Sequence, residues 1–278
     1  MIILEILKVI FLGIVEGITE WLPISSTGHM ILVDEFIKLN VSEEFKEMFF
    51  VVIQLGAIAA VPVLFWGKLY PFSKKKNAAE RQLTYNLWGK VIVGTLPAAI
   101  LGVLLDDFLD AHLYNYIVVE IALVAYGILF IIIEKSRAEK VNRVKSIYDL
   151  SYIDALKIGA FQILSLIPGT SRSGSTILGG MLSGVSRTAA AEFSFFMAIP
   201  IMLGASGLKL LKFILEGFTV SGVEMALLFV GIIVSFAVSL FVIRFLMDFV
   251  KRHNFSAFGI YRIALGALVL ICFVIKTV

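Results

Sequence analysis

Apolar runs separated by short polar stretches fill most of the chain, and they are of two kinds. Six are plain: Met48–Trp66, Val91–Leu105, Tyr116–Ile133, Ala190–Leu211, Met225–Phe245 and Phe258–Ile275. They approach or reach the roughly twenty residues that carry a helix across a ~30 Å hydrocarbon core. Pro97 predicts a kink in the second run. Asp106, Asp107 and Asp110 mark a turn after it, and Lys68–Lys90 and Glu134–Lys157 read as charged connectors.

Two further runs end in hydroxyl-rich hairpins. Met1–Leu22 carries Glu16 and Glu20 near its end, is stopped by Pro23, and is followed by Ile-Ser-Ser-Thr-Gly-His29. A short arm, Met30–Val33, then enters the acidic stretch Asp34–Glu47. Tyr152–Ile167 is followed by Pro168-Gly-Thr-Ser-Arg-Ser-Gly-Ser-Thr176 and an apolar arm to Gly184.

The two hairpins are related. A shift of 146 positions lays Gly13 on Gly159, Ser25 on Ser171, Ser26 on Arg172, Thr27 on Ser173, Gly28 on Gly174 and His29 on Ser175. Each half therefore reads as one broken helix pair followed by three spanning helices: residues 1–133, a connector 134–151, and residues 152–278, all in one membrane domain. Lys68–Lys90, Glu134–Lys157 and Arg244–Arg262 hold sixteen of the twenty-four Lys and Arg residues, which predicts a cytoplasmic position for all three. Each broken pair then enters and leaves by one face, the first from outside and the second from inside. Tyr152–Ile167 makes a helix of ~24 Å, too short to span, whereas Met1–Leu22 is long enough. The expected fold is an all-α polytopic membrane protein with an inverted-topology repeat, each half a re-entrant broken helix pair plus three transmembrane helices. In such folds the broken tips build a binding site near the midplane.

Composition agrees with the pattern. The chain is 59% hydrophobic and 16% charged, with a mean hydropathy of +0.97, against roughly 25% charged in soluble domains. The net charge of +3 is spread over loops and predicts no nucleic-acid partner. Cys272, the sole cysteine, excludes an intrachain disulfide. Glu5 and Lys8 interrupt the first run, against a cleavable signal peptide.

Charge at membrane depth costs about 2.5 kcal/mol or more and marks sites. Arg172 stands among five hydroxyls, Gly169 and Gly174. A guanidinium, a flexible loop and the free amides of a helix start form an oxyanion cradle suited to phosphate. The Gly-x-x-x-x-Gly-Lys pattern is missing, so it is not a Walker loop. The alternative is a Gly/Ser-rich kink with Arg172 snorkelling. In the first hairpin Glu16 and Glu20 are four apart and project from one helix face. A divalent cation, Mg²⁺ or Ca²⁺, would relieve their repulsion and accept phosphate oxygens as well. Ser25, Ser26 and Thr27 supply hydroxyls, and His29 supplies an acid, base or nucleophile near neutral pH.

Glu16-Gly-Ile-Thr-Glu20-Trp-Leu-Pro-Ile-Ser-Ser-Thr-Gly-His29 and Pro168-Gly-Thr-Ser-Arg-Ser-Gly-Ser-Thr176, with Gln54-Leu-Gly and Ala190-Ala-Glu-Phe-Ser-Phe, resemble the undecaprenyl-diphosphate phosphatase family of bacteria, also called UppP or BacA. The resemblance runs nearly end to end. It implies hydrolysis of undecaprenyl diphosphate to undecaprenyl phosphate and phosphate outside the cytoplasm, recycling the carrier for cell-wall polymers. It further implies bacitracin resistance, a divalent cation, a polyprenyl diphosphate partner and a place in the bacterial plasma membrane; a homodimer is left open. On the family pattern Glu16, Glu20, Ser26, His29, Ser171, Arg172 and Thr176 are functional, with Ser25, Thr27, Gly169 and Ser173 beside them at the phosphates. Arg187, in Gly184-Val-Ser-Arg187, matches a further family position or anchors the cytoplasmic side. The attacking group is Ser26, His29 or water; the favoured pairing is Ser26 with His29 as its base and Glu20 orienting them. A lipid-phosphate transporter or flippase is the competing class, favoured by the repeat but not by the Glu/Ser/His cluster.

Overall fold

The computed structural model describes residues 2–277 apart from 114 and 138–141. Among them it contains helices and short 3₁₀ turns and no strand. The helices are α1 (Ile2–Thr19), α2 (Ser26–Phe36), α3 (Glu43–Val52), α4 (Gln54–Leu64), α5 (Trp66–Leu69), α6 (Ala78–Leu113), α7 (Tyr116–Arg137), α8 (Tyr152–Ile163), α9 (Arg172–Leu182), α10 (Arg187–Leu215), α11 (Gly222–Arg252) and α12 (Ser256–Thr277). Six helical stretches among the described residues are long and apolar enough to cross a membrane: Glu43–Leu64, Ala78–Leu105, Tyr116–Arg137, Arg187–Leu215, Gly222–Arg252 and Ser256–Phe273. They correspond to the six plain apolar runs.

Boundaries moved where polar residues join a helix. α6 starts at Ala78 inside the expected connector and continues to Leu113, through the turn expected at Asp106, Asp107 and Asp110. The side chains of those aspartates lie outside the described set. α9 starts at Arg172, not Thr176, because Ser171 caps it: its Oγ accepts the Gly174 N–H at 3.2 Å. Three hydroxyl and glycine residues thereby become the first helical turn.

Both broken segments share one backbone device. Ser25 (φ 73°) and Ser171 (φ 70°) are the non-glycine residues with positive φ among the described residues. Each caps the next helix by accepting the N–H three residues on, from Gly28 and Gly174, both at 3.2 Å. A left-handed non-glycine residue costs roughly 1–2 kcal/mol, so it persists only where surroundings over-determine it. The buried stripes match as well. α1 buries Val9, Leu12, Gly13 and Glu16, and α8 buries Ala155, Ile158, Gly159 and Gln162, positions related by the same shift. α1 packs along α11, α8 along α6, and α7 along α12. At the last contact Gly127 and Gly259 face each other, and a Cβ on either would meet the other's carbonyl oxygen at 2.7 Å. Hydroxyls brace other crossings, such as Ser235 Oγ on the Ile53 carbonyl at 3.1 Å.

Candidate functional site

The ends of α1 and α8 and the starts of α2 and α9 converge, and Glu20 lies at the junction. Its Oε2 accepts Ser26 Oγ–H at 2.9 Å and its Oε1 accepts Arg172 Nη2–H at 2.9 Å. One carboxylate thus joins the residue opening α2 to the residue opening α9. Arg172 Nη1 donates to the Ser194 carbonyl at 2.8 Å, and its guanidinium lies 5.8 Å from the centroid of the Trp21 ring. Ser173 Oγ reaches back across the junction to the Glu20 and Leu22 carbonyls, each at 3.2 Å. Thr176 Oγ1 bonds the Arg172 carbonyl at 2.9 Å and shares a hydrogen with Ser194 Oγ at 2.6 Å.

Glu16, one helical turn before Glu20, is fully buried, and neither of its carboxylate oxygens has a hydrogen-bond partner. Trp21 Nε1 and Arg172 Nε are likewise buried without one. Buried polar atoms are nearly always satisfied, and an unpaired buried carboxylate costs several kcal/mol. The unpartnered carboxylate of Glu16, with Glu20 one turn on along the same helix face, has the oxygen chemistry that a hard divalent cation takes. The described residues contain no group of three or more His, Cys, Asp or Glu able to hold a metal.

His29 stands apart from Ser26. Its Nδ1 is 2.7 Å from the Ser25 carbonyl and its Nε2 is 2.7 Å from the Tyr261 hydroxyl. Ser26 points to Glu20 instead, so the base expected from sequence spacing differs from the one the geometry offers. Residues 26 and 29 share a helix face, but the imidazole turns back onto the carbonyl four residues earlier.

The remaining expected residues fall in three groups. Ser25 and Ser171 are the strained caps; Ser171 Oγ also bonds Ser173 Oγ at 3.2 Å. Thr27 is half-buried in the first turn of α2. Gly169 makes the second turn at φ 92°, and any Cβ there would meet the Val119 carbonyl oxygen at 2.6 Å. Arg187 lies beyond the far end of α9, roughly 15 Å along that helix from the junction. It pairs bidentately with buried Glu134, Nε to Oε1 at 2.9 Å, and Glu134 also accepts the Phe255 N–H at 2.8 Å. The geometry gives Arg187 a structural partner and no contact with the converging tips.

Sequence reasoning missed Arg262, which it counted as a cytoplasmic charge. The side chain is completely buried in α12. Nη1 donates to the Pro23 carbonyl at 3.2 Å, and Nη2 donates to the Gly169 carbonyl at 2.8 Å and the Ala122 carbonyl at 3.4 Å. Pro23 and Gly169 are themselves related by the 146-residue shift, so one guanidinium ties the two tips at corresponding carbonyls. Its signal was present: an arginine at the fifth position of the apolar run Phe258–Ile275 is as costly at membrane depth as Arg172.

Residues 9–268 match the model of the family described as bacitracin resistance protein BacA. An undecaprenyl-diphosphatase of Enterococcus faecalis is 60% identical over 270 residues, covering 96% of this chain and 97% of that protein. One from Acetivibrio thermocellus is 58% identical over 270 residues, with 97% and 98% covered. One from Desulfitobacterium hafniense is 55% identical over 279 residues, with 100% and 99% covered.

Proposed function

The chain belongs to the bacitracin resistance protein BacA family, and on that premise we propose that the Glu20 junction carries its chemistry, with Ser26 as nucleophile and Glu20 as its base. The protein is a multi-pass membrane phosphatase that hydrolyses undecaprenyl diphosphate to undecaprenyl phosphate and inorganic phosphate. Hydrolysis regenerates the carrier monophosphate, and the family's description ties this chain to bacitracin resistance. The observation that carries the mechanism is the Glu20 carboxylate, 2.9 Å from Ser26 Oγ on one side and from Arg172 on the other.

In the first step Ser26 Oγ bonds to the terminal phosphorus, the phosphorus bond to the bridging oxygen breaks, and undecaprenyl phosphate leaves. The Ser26 proton passes to Glu20 Oε2. Protonation discharges the Glu20–Arg172 pair, so the guanidinium becomes available to the transferred phosphoryl oxygens at the moment they need charge. Proton transfer and anion capture are thereby coupled through one carboxylate. In the second step water attacks the phosphoserine, Ser26 Oγ recovers its proton from Glu20, and phosphate leaves. Glu16, whose carboxylate oxygens are unpartnered, would help hold a divalent cation, which supplies neutralisation of the diphosphate when bound.

The same reading extends to architecture. The paired strained caps, the matching stripes of α1 and α8, and the corresponding packing of α1 on α11 and α8 on α6 support an inverted repeat whose broken segments enter from opposite faces. Its active site opens to the extracytoplasmic side of the bacterial plasma membrane. Phosphate release by purified protein in detergent, abolished by Ser26→Ala, tests the function; a protein that binds but never cleaves the diphosphate would instead be a carrier of lipid phosphates.

A further inference from the structure

His29 has two ring nitrogens, and both are engaged. Nδ1 lies 2.7 Å from the Ser25 carbonyl, which can only accept, so Nδ1 carries the hydrogen. In the neutral ring Nε2 is then the lone pair, and the Tyr261 O–H, 2.7 Å away, donates to it. The hydrogen-bond network therefore assigns the tautomer. The two rings also stack, 5.6 Å between centroids and 5° apart.

Tyr261 is well placed to act through this bond. It precedes Arg262, whose guanidinium holds the Pro23 and Gly169 carbonyls, so α12 is fixed to both tips at this turn. His29 is 8% exposed, whereas Tyr261 is 45% exposed. Tyr261 is thus the less enclosed member of the pair. Sequence reasoning gave Tyr261 no role, and the Ser26–Glu20 bond leaves His29 unassigned in the first step.

We propose that Tyr261 is a positioning residue for the hydrolysis: its hydroxyl holds His29 as the Nδ1-protonated tautomer and relays a proton to Nε2 when the phosphoserine is cleaved. Water oxygen bonds to phosphorus and the phosphorus bond to Ser26 Oγ breaks. A water proton moves to the Tyr261 oxygen while the Tyr261 proton moves to His29 Nε2, and Ser26 Oγ takes the proton stored on Glu20. The imidazolium then returns its proton through Tyr261 to solvent, and the cycle closes with no other reactant. This role rests on the reading of His29 as functional.

The test is Tyr261→Phe, which deletes one oxygen and keeps the stacked ring. Loss of a proton relay is worth tenfold or more. Turnover of a polyprenyl diphosphate in detergent should fall at least tenfold, KM should change less than twofold, and the pH–rate profile should change shape. The chain has three histidines, so ¹⁵N spectra of ring-labelled protein, assigned with a His29→Gln variant, read the tautomer directly. The His29 signals should move from the Nδ1-protonated pattern to a mixture. A Tyr261→Phe enzyme with wild-type kcat and pH profile, or a slow one whose His29 signals are unchanged, overturns the role. A fully active His29→Gln enzyme instead overturns the reading of His29 on which it rests, and inactive His29→Gln beside active Tyr261→Phe removes Tyr261 alone.

Discussion

Replacing Glu20 by glutamine separates its two roles. Glu20 accepts one hydrogen bond from Ser26 and one from Arg172. Glutamine has a single oxygen for these two donors. Arg172 cannot accept, so the amide oxygen must turn toward it and the amide NH₂ toward Ser26 Oγ, which can accept. Both contacts survive in shape, but no atom remains to take the Ser26 proton. General-base loss costs about 10²–10⁴ in rate, or roughly 2.7–5.5 kcal/mol of activation free energy. Stability should move far less, because both hydrogen bonds keep their geometry and only the charge of the Arg172 pair is lost. Phosphate release from a polyprenyl diphosphate in detergent should fall at least a hundredfold, with a melting temperature within about 3 °C of wild type, under 2 kcal/mol by the usual scaling. Activity above about a tenth of wild type would refute Glu20 as the base. Equal collapse of folding and activity would show the carboxylate to be structural.

Three other outcomes follow from different parts of the molecule. Arg262→Lys keeps the charge but cannot span the Pro23 and Gly169 carbonyls; leaving one buried carbonyl unpaired costs about 1–3 kcal/mol, so the melting temperature should drop by several degrees and turnover with it, and an unchanged melt would contradict the tie between tips. Chelation by EDTA should silence the wild type, with restoration by Mg²⁺ or Ca²⁺ that Glu16→Gln, lacking the unpartnered carboxylate, reproduces poorly; full activity in EDTA would remove the cation. Single cysteines at Lys75 and Asp107 in a Cys272→Ala background should label from opposite sides of intact cells, Asp107 from outside, and labelling of both from one side would exclude the inverted arrangement.

Much of the site was legible because its residues are polar where the chain is otherwise apolar. Glu16, Glu20, Ser25, Ser26, Ser171 and Arg172 stand out against their neighbours, and the 146-residue spacing pairs Ser25 with Ser171, the two residues that share a positive φ. The six spans were legible for the same reason. What spacing could not reveal is direction. Ser26 and His29 lie one turn apart, but the imidazole folds onto Ser25 and the hydroxyl onto Glu20, a choice made by three-dimensional partners. Arg262 was hidden by position, since a charge near other basic residues reads as solvated until its depth is known. Tyr261 was hidden by type, because tyrosines near helix ends are expected at membrane interfaces. Helix limits moved wherever a cap or a long amphipathic end, as in α6, extended the helix beyond its apolar run.

In the proposed chemistry Ser26 attacks phosphorus while Glu20 takes its proton. Rapid quenching of the enzyme with substrate labelled in the terminal phosphate, followed by mass spectrometry of the digested protein, tests it most directly. His29→Gln, in which the second step should be slow, gives the intermediate time to accumulate. Label should appear on Ser26 as phosphoserine, formed within one turnover and absent from Glu20→Gln. Label on His29 of the wild type, or full turnover by Ser26→Ala, would contradict it.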